Sequence, residues 1–132
     1  MLDLDLLPEP YAVCRLPAGV PLPAKLPGEG GVVAVTWTPD EVSIICPADR
    51  VPPDAQVETQ WRCLRVTGVL SLTLTGILHS LTGPLAEARV NICAFSTYDT
   101  DYLLVPEVRL AEATAALTEA GHRIHEVSPP AP

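Results

Sequence analysis

The chain has 132 residues, of which 48% are hydrophobic and 18% are charged. This length allows one compact domain of usual size or two small subdomains, and the apolar fraction excludes a disordered chain. Its 16 acidic residues outnumber 8 basic ones, which gives a net charge of −8. Because no run of Lys or Arg is present, the sequence offers no surface for nucleic acid or for an anionic membrane.

The cysteines and the N-terminus indicate a cellular compartment. None of the four cysteines has a second Cys or a His at metal-ligand spacing, and each lies in an apolar run, where free Cys behaves as a small buried hydrophobe. The opening sequence MLDLDLLPEP carries acids where a signal peptide needs basic residues, and no window approaches the roughly 18 apolar residues of a membrane helix. We therefore expect a cytoplasmic protein without a cofactor.

The N-terminal half is rich in Pro and Gly, which disfavours long helices because Pro removes a backbone donor and restricts the residue before it. Runs of β-branched and aromatic residues predict strands at residues 11–16, 31–37 and 42–46. The sequence TPDE at residues 38–41 is typical of a turn with Pro at its second position. Residues 32–46 are therefore predicted to form a hairpin.

The C-terminal half begins with a predicted strand at residues 61–70 and an amphipathic helix in TGILHSLTGPLAEARV. Thr73 or Thr75 is a candidate N-cap for this helix. Gly83 and Pro84 predict that the helix is kinked or broken in two.

A second hairpin and a second helix follow. Residues 91–96 and 101–105 are the predicted strands of this hairpin. The second helix is predicted to begin at Pro106 and to end at Gly121, because Pro favours the first turn and Gly the C-terminal stop. Residues 122–127 form a last short strand.

The order of elements after residue 60 is β-α-β-β-α-β, the ferredoxin-like arrangement. Sliding the chain by 59 positions places VAVTWTPDEVSIICP over ICAFSTYDTDYLLVP, and so aligns Thr38 with Thr97 and Asp40 with Asp99. Self-similarity at a fixed spacing favours an internal duplication. We therefore predict an α+β fold of two ferredoxin-like subdomains, residues 1–60 with reduced helices and residues 61–127, followed by a disordered tail at residues 128–132.

The stretch FSTYDTDYLLVP, residues 95–106, is the first candidate site. Its strand-turn-strand corner carries two carboxylates, three hydroxyls and an aromatic ring, and loops of this kind often hold ligands on a rigid sheet. A plain turn explains Asp99 equally well. Asp101 falls past the turn at the start of a strand, where Asp is depleted, and is therefore the stronger candidate.

The second candidate is LTLTGILHS, residues 72–80, where the start of a helix presents free backbone N–H groups that suit a carboxylate. An ordinary N-cap explains the same residues. In a β-α-β-β-α-β unit this loop and the hairpin can lie at one end of the sheet. Anion donors beside carboxylates would suit a zwitterion, namely a free amino acid.

Catalytic and metal sites find less support. Ser96 or Thr97 could pair with His79 as nucleophile and base, but no surrounding motif supports such a pair. His122 and His125 are three residues apart on a strand, which places their rings on opposite faces. A pair of Asp residues lacks the ligand count of a calcium or transition-metal site. We predict no catalytic residues and no metal site.

The segments LPEPYAVCRLP, LTGILHSLTGPLAEARVNI and AFSTYDTDYLLVP resemble small bacterial proteins with two ACT domains, which are relatives of the ACT modules in the arginine sensors called CASTOR. The resemblance covers most of residues 5–125. It implies two ACT subdomains, the first degenerate, and a regulatory rather than enzymatic protein that binds a free amino acid.

The resemblance also implies particular site residues. In the arginine sensors the helix-entry glycine and the hairpin segment hold the ligand, and the matching segments here contain Thr75, Gly76, Ile77, Ser96, Thr97, Tyr98 and Asp101. Those sensors carry four ACT units and this chain two, so a homodimer would restore the count. The ligand is arginine or another amino acid. The alternative is a protein-interaction module that keeps the ACT fold without a ligand.

Overall fold

The computed structural model describes residues 1–28, 30–71 and 73–128. Except for Ser128, the predicted disordered tail lies outside the described residues. The chain divides into two compact units, which are described separately. The N-terminal unit comprises Glu9–Trp61, and the C-terminal unit comprises Met1–Pro8 together with the chain from Arg62 onward.

The N-terminal unit contains four strands. They are β1 (Asp3–Pro17), β2 (Ala34–Trp37), β3 (Glu41–Pro47) and β4 (Gln56–Val66), with a short 3₁₀ helix at Ala48–Arg50. Residues of β1 and β4 contribute to both units. Within this unit the strand order is β2-β3-β1-β4, and β3 is antiparallel to both β1 and β2. In its described residues, 9–28 and 30–61, the unit has no α-helix.

The core of the N-terminal unit lies on one face of its sheet. Strands β1 and β3 contribute most of its buried side chains, and the Pro-rich loop after β1 contributes Leu26. Val20, Leu22 and Val33 of the same loop pack against this cluster. This loop therefore covers a face of the sheet in the half of the chain for which the sequence predicted no long helices.

The C-terminal unit has both helices. Its further elements are α1 (Ile77–Glu87), β5 (Cys93–Ser96), β6 (Asp101–Pro106), a 3₁₀ helix at Glu107–Arg109, α2 (Leu110–Glu119) and β7 (Arg123–Glu126). The strand order within this unit is β7-β1-β4-β6-β5. The predicted α+β, ferredoxin-like plan is confirmed, with one addition. Asp3–Leu6 of β1 pairs in parallel with β7 and supplies a fifth strand.

The core of the C-terminal unit forms where the helices meet the sheet. Leu81 and Leu85 of α1 and Ala113 and Leu117 of α2 are at most 1% exposed. The two helices pack these apolar stripes against alternate residues of the strands, including Leu64. The middle of each predicted apolar face is thus buried, whereas Leu78 of the first face and Ala120 of the second are exposed.

The two halves of the chain repeat their elements at an offset of 59 residues. Strand β2, Ala34–Trp37, corresponds to β5, Cys93–Ser96, without any shift. The 3₁₀ helix at Ala48–Arg50 corresponds in the same way to the one at Glu107–Arg109. This agreement supports the predicted duplication. The division into residues 1–60 and 61–127 stays a prediction, and the compact units differ from it because Met1–Pro8 belongs with the C-terminal unit.

The hairpin turns of the two halves also make the same hydrogen bonds. The backbone N–H of Thr97 donates to the Thr100 carbonyl over 2.9 Å, and that of Thr38 donates to the Glu41 carbonyl over 3.0 Å. In each turn the Thr hydroxyl donates to that carbonyl and accepts from the N–H of the same residue. The alignment of Thr38 with Thr97 therefore holds at the level of single atoms.

Two strand predictions were too short or misplaced. Strand β1 begins at Asp3 rather than at residue 11. Leu4 and Leu6 alternate with Asp3 and Asp5, and only the two leucines are buried, as expected for a strand with one face on the core. Strand β4 begins at Gln56 and ends at Val66, so that the loop toward α1 starts earlier than predicted.

The sequence predicted that Gly83 and Pro84 kink α1 or break it in two, and the second alternative is wrong, because one helix runs through Pro84. Pro84 has no N–H to donate to the carbonyl of Ser80. The Nε2 atom of His122 lies 3.0 Å from that carbonyl oxygen and takes the place of the missing donor. The predicted caps Thr73 and Thr75 were also wrong, since Gly76 is the N-cap and no side chain caps the helix.

Two further findings concern the cysteines and the helices. Cys14, Cys46 and Cys63 are buried, and Cys93 is half-buried. Among the residues that the structure describes, no helix is both long enough and apolar enough to cross a membrane.

Candidate functional site

The turn between β5 and β6 is fixed from two sides. Besides its bonds to Thr97, the buried residue Thr100 donates its hydroxyl to the carbonyl of Val66 over 2.8 Å, which anchors the turn to β4. The backbone N–H of Leu70 donates to the Asp99 carbonyl over 2.7 Å. The loop that leads into α1 is thereby held beside the hairpin. The sequence-based expectation that these segments lie together is met.

Asp101 is the first residue of β6 and stands directly opposite Ser96 of β5. The Ser96 hydroxyl donates to Oδ1 of Asp101 over 2.6 Å. A carboxylate offers about four acceptor positions, so this single bond leaves Asp101 able to accept further donors. Asp101 is half-buried, whereas Asp99 at the tip of the turn is exposed.

The start of α1 supplies hydrogen-bond donors, whereas Asp101 supplies an acceptor. Gly76 has a φ of 78°, in the left-handed region that favours glycine, and this conformation turns the chain into the helix. Because no side chain caps the helix, its first N–H groups are left for an outside acceptor, at the positive end of the helix dipole.

A cavity of about 270 Å³ lies between these two segments. Of the predicted site residues, Gly76, Ile77, Ser96, Thr97, Tyr98 and Asp101 line it, together with Asp99. Thr75 and the alternative catalytic residue His79 are not among its lining residues. No basic side chain occurs among the described residues that line the cavity. It can therefore offer acceptors to a cation and backbone donors to an anion.

The two histidines near the C-terminal strand, His122 and His125, do not line this cavity; both line a separate groove. His122 is buried, and its Nδ1 accepts a hydrogen bond from the N–H of Leu2. His125 is exposed, and its Nε2 lies 3.0 Å from the Asp3 carboxylate. Among the described residues no group of three or more His, Cys, Asp or Glu side chains could hold a metal ion.

A larger groove of about 920 Å³ runs along α2 and β7. Its walls are mainly apolar or small, including Leu110, Ala111, Ala115 and Ile124. We place the candidate site in the smaller cavity, because orientation and specificity in ligand sites come from a few convergent polar groups.

Sequence reasoning named Tyr98 as a site residue but missed the aliphatic side chains beside it at the rim of the small cavity. Leu74, Leu78 and Tyr98 line it while remaining 54%, 37% and 82% exposed, respectively. Val69, 77% exposed, adjoins the lining residue Leu70. Leu78 reads in the sequence as part of a helical apolar stripe, and only the packing of α1 shows that it faces outward.

Comparison with known proteins identifies the family. Residues 56–119 match the family model described as ACT domain. Residues 9–54 match a second model, that of an N-terminal domain. The crystal structure of protein Atu0741 from Agobacterium tumefaciens is 36% identical, with a TM-score of 0.88, over 97% of this chain and 95% of that chain. The chain belongs to the same family as Atu0741, and its residues 56–119 are an ACT domain.

Two more distant structures share the ACT fold. Protein VC0802 from Vibrio cholerae, described as a protein of unknown function and possible transport protein, is 17% identical, with a TM-score of 0.69, over 90% of this chain and 89% of that chain. The ligand-free regulatory subunit of aspartate kinase from Thermus thermophilus is 13% identical, with a TM-score of 0.60, over 92% and 96%. No curated protein matches this ACT protein.

Proposed function

We propose that this ACT protein is a non-enzymatic regulatory module that senses a free amino acid. The observation that carries the proposal is that hydrogen-bond donors and a hydrogen-bond acceptor lie on opposite sides of one small cavity. The uncapped start of α1 at Gly76 provides donors, and Asp101 with Ser96 provides an acceptor. The resemblance to a kinase regulatory subunit, which is a regulatory chain in its own right, supports this function class.

The ligand carboxylate would accept from the N–H groups that follow Gly76, where the helix dipole favours an anion. Its cationic end would donate to Asp101, and Tyr98 would pack along the alkyl chain between them. Asp99 adds a second negative charge at the mouth of the cavity. Because two carboxylates and no basic side chain line it, we favour an amino acid with a cationic side chain, and the resemblance to the CASTOR sensors makes arginine the first candidate.

We further propose that the protein acts in the cytoplasm as a homodimer. The larger groove along α2 and β7 supports this, because among the described residues β7 pairs only with β1 and keeps a free edge. A free strand edge is a ready site for pairing with another chain. Light scattering after gel filtration tests the dimer, and Ile124→Arg, placed in the groove, should yield a monomer.

Thermal-shift screening against the twenty amino acids tests the sensor function. A ligand that binds only the folded state stabilises it by about 2.7 kcal/mol at a hundredfold excess over Kd. We expect one amino acid, with arginine as first candidate, to raise the Tm of the wild type and of the control Asp40→Ala. It should not raise the Tm of Asp101→Ala. No shift of the wild type with any amino acid at millimolar concentration would reject the function.

The second candidate function is a protein-interaction module of ACT fold that needs no ligand. The exposed apolar side chains at the rim, with Tyr98 82% exposed, favour it. In that case the screen above would show no shift, while a partner protein would still bind.

A further inference from the structure

Two hydrogen bonds join the walls of the candidate site. One wall is the segment that leads from β4 into α1, and the other is the turn between β5 and β6. The hydroxyl of Thr100 donates to the carbonyl of Val66, the last residue of β4, over 2.8 Å. The N–H of Leu70 donates to the carbonyl of Asp99 over 2.7 Å. Only the first of these two bonds comes from a side chain, so a single substitution removes it.

Thr100 is held more firmly than its neighbours in the turn. It is 6% exposed, whereas Asp99 beside it is exposed. Its N–H donates to the hydroxyl of Thr97, and its carbonyl accepts from the N–H of the same residue. Because a buried hydroxyl without an acceptor is costly, the bond to Val66 persists in the folded protein. Thr100 thereby fixes the backbone from which Asp101, the next residue, lines the cavity.

The repeat at an offset of 59 residues indicates that the fold does not require this hydroxyl. Glu41 stands at the position equivalent to Thr100, and as a carboxylate it has no hydrogen to donate to a carbonyl. The first turn nevertheless closes with the same backbone bond to the carbonyl of Glu41, over 3.0 Å. At the position equivalent to Val66, the carbonyl of Leu7 accepts from the guanidinium of Arg62 instead. Among the described residues, the hydroxyl bond thus occurs only in the half that contains the candidate site.

We propose that Thr100 is a positioning residue that holds Asp101 at a fixed distance from the start of α1. This inference rests on the proposed sensor function, because a free amino acid would bridge Asp101 and the N–H groups that follow Gly76. Walls that are already in place need no ordering when the ligand binds, which preserves affinity. When the walls separate, the apparent affinity falls in proportion to the fraction of molecules in which they are still joined. Thr100 acts through Asp101, since its own hydroxyl donates to Val66.

Three substitutions isolate the hydroxyl bond. Thr100→Val removes the hydroxyl and keeps the size of the side chain, whereas Thr100→Ser keeps the hydroxyl. Thr100→Ala also removes the hydroxyl and leaves more room, so it repeats the measurement without crowding by a methyl group. Thr38→Val is the control, because it removes a turn hydroxyl of the N-terminal unit that does not line the cavity.

Amide hydrogen exchange of the ligand-free protein, followed by ¹⁵N NMR, tests the positioning itself. Leu70 is the reporter, because its N–H forms the second bond between the walls. We expect its exchange to be at least about tenfold faster in Thr100→Val and Thr100→Ala, the factor that corresponds to one lost hydrogen bond. It should stay close to wild type in Thr100→Ser and Thr38→Val. The amide of Leu117, in the core of α2, reports the change in global stability with which Leu70 is compared.

Isothermal titration calorimetry with L-arginine, or with whichever amino acid the thermal screen selects, tests the consequence for binding. The Kd should rise about tenfold in Thr100→Val and stay within about threefold of wild type in Thr100→Ser and Thr38→Val. The titrations are made well below the Tm of every variant, which separates affinity from stability. A purely structural role of Thr100 would lower the Tm and leave the Kd unchanged.

Unchanged exchange of Leu70 in Thr100→Val, relative to Leu117, would overturn the proposal whether or not an amino acid binds. Faster exchange with an unchanged Kd would also overturn it, because the walls would then move without effect on the ligand. If none of the twenty amino acids binds the wild type, the sensor function fails, and the exchange of Leu70 still decides whether Thr100 holds the walls together.

Discussion

His122 occupies the place that Pro84 leaves empty in the hydrogen bonding of α1. The carbonyl of Ser80, which a helical N–H at position 84 would otherwise serve, lies 3.0 Å from Nε2 of His122. On the other side of the ring, Nδ1 accepts from the N–H of Leu2 over 3.0 Å. Because Nδ1 accepts, Nε2 is the nitrogen that donates to the Ser80 carbonyl, and the ring ties α1 to the start of β1.

The first prediction concerns this bond. His122→Phe leaves the half-buried Ser80 carbonyl and Leu2 N–H without this partner and should lower the free energy of unfolding by about 1–3 kcal/mol. Pro84→Ala supplies an N–H for Ser80, so in that background the same change should cost about 1 kcal/mol less. Urea denaturation of the four proteins measures this difference. An equal cost of His122→Phe in both backgrounds would contradict the role assigned to His122.

The second prediction concerns the buried thiols. Burial in the N-terminal core, with the Cys14 thiol alongside, raises the pKa of Cys46 to about 12. Burial also raises the pKa of Cys14. Since the thiolate is the reactive form, iodoacetamide at pH 8 should leave both residues unmodified in the folded protein and modify them in guanidinium chloride. Mass spectrometry reads the outcome, and alkylation of Cys46 at similar rates in both conditions would be inconsistent with this core.

The raised pKa of Cys46 also sets the sign of a pH effect. In the unfolded chain a Cys ionises near its ordinary pKa of about 8.5, while the folded protein keeps this thiol protonated. The stabilisation is thus complete below about pH 8.5 and is lost as the pH rises. Cys46→Ala should show a weaker fall in stability between pH 8 and 10 than the wild type.

The third prediction uses the duplicated turns. Thr38→Val and Thr97→Val each remove one hydroxyl that accepts from and donates to the backbone of its turn. We expect each to lower the free energy of unfolding by about 1 kcal/mol. Thr36→Val, a change in β2 outside the turn, serves as the control and should have a smaller effect. A large difference between the two turn variants would argue against their structural equivalence.

The fourth prediction concerns Asp3. The hydrogen bond from His125 is the largest influence on the Asp3 carboxyl; burial opposes it, the charge of Arg123 adds to it, and the pKa of Asp3 lies below its ordinary value. Stability linked to Asp3 is therefore present above the unfolded-state pKa of about 3.9 and is lost as the pH falls through the folded-state value. In ¹³C NMR titrations, His125→Ala should raise the pKa of Asp3. An unchanged value would rule out this pair.

The hairpins could be predicted from sequence because their determinants are local. Thr38 and Thr97 each fix their turn through hydrogen bonds to the residue three positions further on. The repeat at an offset of 59 residues can be recognised by aligning the sequence with itself. The same locality explains why Asp101 could be distinguished from Asp99, since one begins a strand and the other remains in the turn.

What could not be predicted depends on distant residues. Pro84 reads as a helix breaker because its compensating donor, His122, lies far along the chain. The start of β1 was missed, although the alternation of Asp and Leu at residues 3–6 is a strand pattern, because its parallel partner β7 lies far along the chain. The exposure of Leu74 and Tyr98 depends on tertiary packing that no local pattern encodes.

The most direct test of the sensor account is an amide NMR titration of the ¹⁵N-labelled protein with the amino acid that the thermal screen selects. The account predicts saturable shifts at Ile77 and Leu78 and at residues 96–101, and their loss in Asp101→Asn. Shifts confined to the groove along α2 and β7, or unchanged binding by Asp101→Asn, would contradict it.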